Sequence, residues 1–120
     1  MKIRVYYEDT DCGGVVYHSI YLNYCERARS ELFFQKGLSP HKQNEFFVVK
    51  KIEADYIKPA LFGDELEVTT NLIKKKNTSL LISQEILRGD EVLFKATVLV
   101  AFLKDMKPSR IPQELYSLFE

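Results

Sequence analysis

Between Tyr7 and Ser19 the chain gathers the side chains best suited to chemistry: Tyr7-Glu8-Asp9-Thr10-Asp11-Cys12-Gly13-Gly14-Val15-Val16-Tyr17-His18-Ser19. A carboxylate is ionised at neutral pH and serves either as nucleophile or as base on water. Two glycines beside it let backbone approach a ligand with no Cβ in the way. A histidine closes the segment just ahead of an amphipathic stretch, where the free N–H groups of a helix start favour developing negative charge. Acid, glycines and helix start together suit attack on a carbonyl. The same residues also fit a structural account, in which Asp9 and Asp11 cap turns and Gly13-Gly14 bends the loop.

The elements that must position this segment follow from hydrophobic periodicity. Lys2 to Tyr7 alternates, with Ile3, Val5 and Tyr7 on one face, and predicts a strand. Glu8 to His18 has no period and is long for a loop in a compact domain, a length often associated with function. From Ser19 the period becomes helical. Tyr21, Tyr24, Cys25, Ala28 and Leu32 form an apolar stripe opposite Asn23, Glu26, Arg27 and Ser30. Ser19 is placed to cap this helix and Gly37 to end it, a span of about eighteen residues. Beyond Pro40 and His41, strands are predicted over Phe46 to Ile57, Glu65 to Ile73, Ser79 to Leu87 and Glu91 to Leu103. Lys74 to Asn77 makes one turn and Gly89-Asp90 a hairpin. Pro112 can open a short terminal helix carrying Leu115, Leu118 and Phe119. One strand, one long helix and four consecutive strands predict an α+β fold, a five-stranded antiparallel sheet on one helix.

The last strand adds a clue about assembly. Val92, Phe94, Val98, Val100 and Phe102 fill one face, while Leu93, Leu99, Ala101 and Leu103 fill the other. A sheet with one wet face should alternate apolar and polar residues. The helix covers one face only, so the second predicts contact with another subunit.

Composition narrows the function. The 120 residues predict a single domain over 1–120, and 46% hydrophobic with 28% charged residues exclude intrinsic disorder. Seventeen basic residues balance seventeen acidic ones, without the basic excess of a nucleic-acid binder. Two cysteines are too few for a disulfide scaffold, and the charged first residues do not form a secretory signal. The longest apolar run, Val98 to Leu103, is too short to span a bilayer. A cytoplasmic protein with reduced thiols is the expectation.

The loop and helix resemble the signature of the hotdog-fold acyl-CoA thioesterases, in the YbgC-like branch of the 4-hydroxybenzoyl-CoA thioesterase family. Tyr7, Asp9, Asp11, Gly14, Val15, Val16, Tyr17, His18, Tyr21, Tyr24, Glu26 and Arg29 carry the match, and Lys58-Pro59-Ala60-Leu61-Phe62-Gly63-Asp64 resembles a later junction of that family. The resemblance implies a sheet wrapped around one central helix, and hydrolysis of an acyl-CoA to a free acid and coenzyme A. It implies a catalytic carboxylate at Asp11 and carbonyl polarisation at His18, through its backbone N–H or its imidazole. Gly14, Val15, Tyr17 and Tyr7 become substrate-binding residues, with no metal or other cofactor. Homo-oligomers, dimers or tetramers, are implied, with active sites between subunits. A thiol ionises near pH 8.5 on the cysteine scale and so leaves readily as thiolate, which makes a carboxylate plus a polarised carbonyl a sufficient set. The residues leave open whether Asp11 attacks directly or activates water, and whether coenzyme A or acyl carrier protein carries the acyl group. A hotdog hydroxyacyl-thioester dehydratase and a non-catalytic acyl or acyl-carrier-protein binding module are the competing functions.

Other candidates read as structural. Cys12, His18 and Cys25 lack paired metal-ligand spacing. His41 reads as solvated. Lys74-Lys75-Lys76 reads as a solvated turn, with the phosphates of coenzyme A on a neighbouring subunit as the alternative.

Overall fold

A computed structural model describes residues 1–120. The sheet strands are β1 (Lys2–Arg4), β2 (His41–Lys42), β3 (Glu45–Tyr56), β4 (Glu65–Lys75), β5 (Ser79–Arg88), β6 (Glu91–Lys104) and β7 (Lys107–Pro108). The helices are α1 (Ile20–Phe34) and a four-residue α2 (Gln113–Tyr116). All strand pairs are antiparallel, in the order β1-β4-β5-β6-β3-β2, with β7 on β6. The five expected strands form, and the two-residue β2 and β7 extend them. The sheet curls around α1 as the hotdog resemblance implies.

Strand alternation explains the core. On β5, Leu80, Ile82, Gln84 and Ile86 are buried while their neighbours are only partly so; on β6, Phe94, Ala96, Val98 and Val100 are buried on the same face. Against this face α1 buries Tyr21, Tyr24, Cys25, Ala28 and Phe33. Each such large apolar side chain contributes roughly 1.5–3 kcal/mol on burial. Gly37 (φ +72°) ends the helix, with Leu38 N–H donating back to the Phe33 carbonyl over 2.9 Å.

Four expectations change. The first strand stops at Arg4, because Tyr7–Asp9 winds into a 3-10 turn. Ser19 precedes α1 but its side chain caps nothing, and the helix runs fifteen residues. β4 continues to Lys75, which moves the turn later. Leu93 is not on the outer face. The register slips between Ile86 and Leu87, Leu93 becomes the extra residue of a bulge, and it is fully buried. Leu99, Ala101 and Leu103 keep their outward places.

One edge stays open. Beyond Phe46, β3 has β6 on one side and no strand on the other. Val49, Ile52, Tyr56 and Ile57 are exposed along it.

Candidate active site

The loop before α1 is tied down from inside. Asp9 is buried, and its Oδ2 accepts from the Tyr24 hydroxyl (2.9 Å) and the Tyr6 N–H (2.9 Å). Tyr17 N–H donates to the Asp9 carbonyl (2.9 Å), so one residue ties both ends of the loop to the middle of α1. Burial, and then the bond to Asp9, push the Tyr24 hydroxyl above its ordinary pKa.

Asp11 faces the other way and is exposed. Gly13 N–H donates to Asp11 Oδ1 (2.8 Å), Asp11 N–H to the Val15 carbonyl (2.9 Å), and Gly14 N–H to the Asp11 carbonyl (3.1 Å). Gly14 sits at φ +81°, where a side chain is strained, and a Cβ on Gly13 would lie 3.3 Å from Asp11 Oδ1. The second carboxylate oxygen of Asp11 receives no hydrogen bond from the chain. One oxygen is oriented and the other is unengaged.

The far side of the loop rests on the segment after β3. Val16 N–H donates to the Ala60 carbonyl (2.9 Å), and Val15 bridges Leu61. Arg88 steadies this platform, with Nη1 2.7 Å from Asp64 Oδ2 and Nη2 2.7 Å from Glu91 Oε1. Hydrogen bonds from Lys58 and Arg88 hold the Glu91 carboxyl below its usual range. At the helix start, the backbone N–H groups of His18 and Ser19 donate to no acceptor in the chain. The Tyr56 hydroxyl donates to the His18 carbonyl (2.7 Å), and the Tyr17 ring lies 4.4 Å from the imidazole.

The expected site residues therefore fall into two groups. Asp11, Gly14 and Tyr7 line a shallow depression with Thr10, Cys12 and Phe62, where the Tyr7 and Phe62 rings meet edge-on at 6.0 Å. His18, Tyr17 and Val15 lie outside it. No group of three or more His, Cys, Asp or Glu side chains comes together. Cys12 is exposed and Cys25 buried, and burial pushes the Cys25 thiol up to about 11. Lys75 pairs with Glu120 (3.2 Å), whereas Lys74 and Lys76 line a hollow on the outer sheet face with Lys51.

Sequence reasoning did not find a second region, at the other end of α1. There a cavity of about 240 Å³ lies between the helix and β3, walled by Phe33, Phe47, Val49, Ile82 and Phe119. Glu26 and Arg29 line it from α1, and His41, exposed and stacked on Phe46 at 5.2 Å, lines its rim. Arg29 Nη1 donates to Gln84 Oε1 (2.8 Å), and the fully buried Gln84 donates in turn to the Cys25 carbonyl and Thr70 Oγ1, both at 3.0 Å. The signal available was Gln84 itself, the polar residue among the inward positions of β5.

Comparison with known proteins places the molecule. The family model described as the Thioesterase superfamily matches residues 13–95. The chain is 43% identical to the "Acyl-CoA thioesterase YbgC" of Haemophilus influenzae, over 98% of this chain and 90% of that protein. The Helicobacter pylori protein of the same description is 48% identical over 72% of this chain; that match spans 65% of the relative's length. Among solved structures, a probable thioesterase from Bartonella henselae superposes with a TM-score of 0.88 at 33% identity, covering 93% of this chain and 97% of that one. The chain belongs to the thioesterase superfamily. Within it, the long relatives it resembles are of the YbgC type.

Proposed function

We propose that this protein hydrolyses an acyl-CoA thioester to a free carboxylic acid and coenzyme A, with Asp11 supplying or activating the attacking oxygen. The observation that carries this is the state of Asp11: an exposed carboxylate with one oxygen held by Gly13 N–H and the other unengaged. Similarity to thioesterases supports thioester hydrolysis as the reaction for that carboxylate. Either Asp11 attacks the thioester carbonyl, releasing coenzyme A as thiolate and leaving a mixed anhydride for water to open, or it takes a proton from the attacking water. In both routes negative charge grows on the carbonyl oxygen. The unengaged N–H groups of His18 and Ser19 suit that charge, at the positive end of α1.

The working unit is a pair of copies. An open strand edge carrying Val49, Ile52 and Tyr56 invites another strand. Antiparallel pairing of two β3 edges centred on this stretch sets Tyr56 of one copy opposite Val49 of the other. Tyr56 holds His18 in its own copy, and Val49 walls the cavity. The helix start of one protomer then meets the cavity of its partner, which supplies the apolar surface that the Asp11 loop lacks. No helix is long and apolar enough to cross a membrane.

Thiol release over a panel of acyl-CoAs, each repeated on acyl carrier protein, tests the reaction and its thiol carrier. An enoyl product from hydroxyacyl-CoA, or no thiol from any substrate, overturns it. Light scattering tests the assembly: a fully active 14.0 kDa species at dilution removes the shared site.

A further inference from the structure

Arg29 is anchored like a binding residue and left without a counter-ion. Gln84 is fully buried, and its Nε2 is committed to the Cys25 carbonyl and Thr70 Oγ1. Its Oε1 is therefore fixed toward Arg29, which gives it one N–H at 2.8 Å. A guanidinium has five N–H donors in a planar fork, and the other donors of Arg29 meet no acceptor in the chain. Charged groups taken from water are ordinarily paired. Arg88 shows the ordinary case: it holds Asp64 and Glu91 at once. Arg29 holds no carboxylate at all. Glu26, one turn earlier on α1, accepts from the Ser30 hydroxyl instead and forms no ion pair.

The surroundings narrow what is missing. Arg29 lines a cavity whose apolar walls include Phe33, Phe47, Ile82, Val100 and Phe119, with Glu26, Ser30 and His41 also on its lining. Its volume, about 240 Å³, falls below the roughly 300–1,000 Å³ of drug-sized ligand sites, so its occupant is small. A short apolar body with an anionic end satisfies both wall and cation. The planar fork of Arg suits a carboxylate bidentately.

We infer that this cavity receives a short acyl group whose far end is a carboxylate, read by Arg29 on its Gln84 support, so that the preferred substrates are dicarboxylic acyl-CoAs. The inference rests on the thioesterase reading above and adds the class of acyl group. A neutral acyl tail of the same length fills the cavity but leaves the guanidinium desolvated and unpaired. Sites built for a polar partner discriminate strongly against analogues that lack it. A hydrogen-bonded charge partner corresponds to a preference of about ten- to a hundredfold.

The test uses the full chain and matched pairs: succinyl- with butyryl-CoA, glutaryl- with valeryl-CoA, adipyl- with hexanoyl-CoA. We expect kcat/KM in at least one pair to favour the dicarboxylic substrate about ten- to a hundredfold. Arg29→Gln should collapse that ratio toward unity, and Arg29→Lys should restore part of it. Neutral substrates turned over as fast as their acidic partners at every length overturn the inference and leave the thioesterase reading standing. A second arm needs neither turnover nor a variant. Free glutarate should raise the melting temperature of the parent protein, and valerate at equal concentration should not. Equal response to both overturns the carboxylate site, whichever way the thiol assay falls. If the glutarate response survives Arg29→Gln, the anion sits elsewhere and the inference fails.

Discussion

The two ends of α1 solve different problems with different means. At its N-terminal end an exposed carboxylate, two glycines and unengaged N–H groups lie on consecutive residues, Asp11 to Ser19, and a buried Asp9–Tyr24 bond holds them. At its C-terminal end an apolar cavity is assembled from α1, β3, β5, β6 and the chain terminus, with Arg29 held by Gln84 from the sheet floor. The first end leaves its Asp11 carboxylate in water and buries only the Asp9–Tyr24 support. The second buries its surface and leaves one charge without a partner. Reaction chemistry can be carried on a loop, provided the loop is anchored. Recognition of a shape needs walls from several elements.

Asp11→Asn strikes the chemical end hardest. Asn preserves size and hydrogen bonding but removes charge and the nucleophilic oxygen. Turnover should fall by roughly a thousandfold, about 4 kcal/mol in the barrier, with unchanged melting temperature and oligomer size. Near-parental turnover by this variant would show that the attack does not start at Asp11. His18→Ala comes next. If the imidazole takes or orients a proton, the loss should be about a hundredfold. A folded His18→Ala enzyme with near-parental rates reduces His18 to its backbone donor.

Disturbing the support should separate stability from chemistry. Tyr24→Phe leaves the buried Asp9 carboxylate without one of its two donors, and should cost about 1–3 kcal/mol of stability. Asp9→Asn should act in the same direction. Denaturant unfolding reads the loss, while turnover of either folded variant should fall far less than in Asp11→Asn. Equal losses of turnover would mean that Asp9 takes part in the reaction.

An effect of similar size, seen only at alkaline pH, is a pH dependence set by the helix core. The Cys25 thiol is pushed from 9.0 to about 11 by burial, so between those values the folded chain keeps a proton that the unfolded chain has released. Stability contributed by the neutral thiol is present below pH 9.0 and is lost as pH rises toward 11. The loss amounts to about 1–3 kcal/mol. Tyr24, also shifted upward, adds in the same direction at still higher pH. Unfolding free energies compared at pH 8 and 10.5, roughly the two sides of that window, should converge less steeply in Cys25→Ala. An unchanged slope would place the alkaline sensitivity elsewhere.

The loop before α1 could be read in advance because its parts are neighbours in sequence. The spacing of Asp11, Gly14 and His18 survives in the fold as one anchored loop, although Asp11 and His18 do not share a depression within one copy. The strands were legible where alternation was regular. Leu93 was misplaced because a bulge consumes one residue of the period, and nothing in Glu91-Val92-Leu93-Phe94 announces it. Tyr7 left its strand because Asp9 draws the Tyr6 N–H and the Tyr24 hydroxyl onto one carboxylate, a bond to a residue on the helix. The two-residue β2 and β7 are too short to show any period.

Local patterns by themselves determined the helix stripe, the succession of elements along the chain, the acidic glycine loop and the family to which it belongs, because each is written in residues a few positions apart. The tertiary structure alone decided that Arg29 meets Gln84 across fifty-five positions, that the cavity closes between α1 and β3, and that the β3 edge stays open. Those outcomes depend on how a curled sheet wraps a helix, a matter of packing between distant segments that no local period encodes.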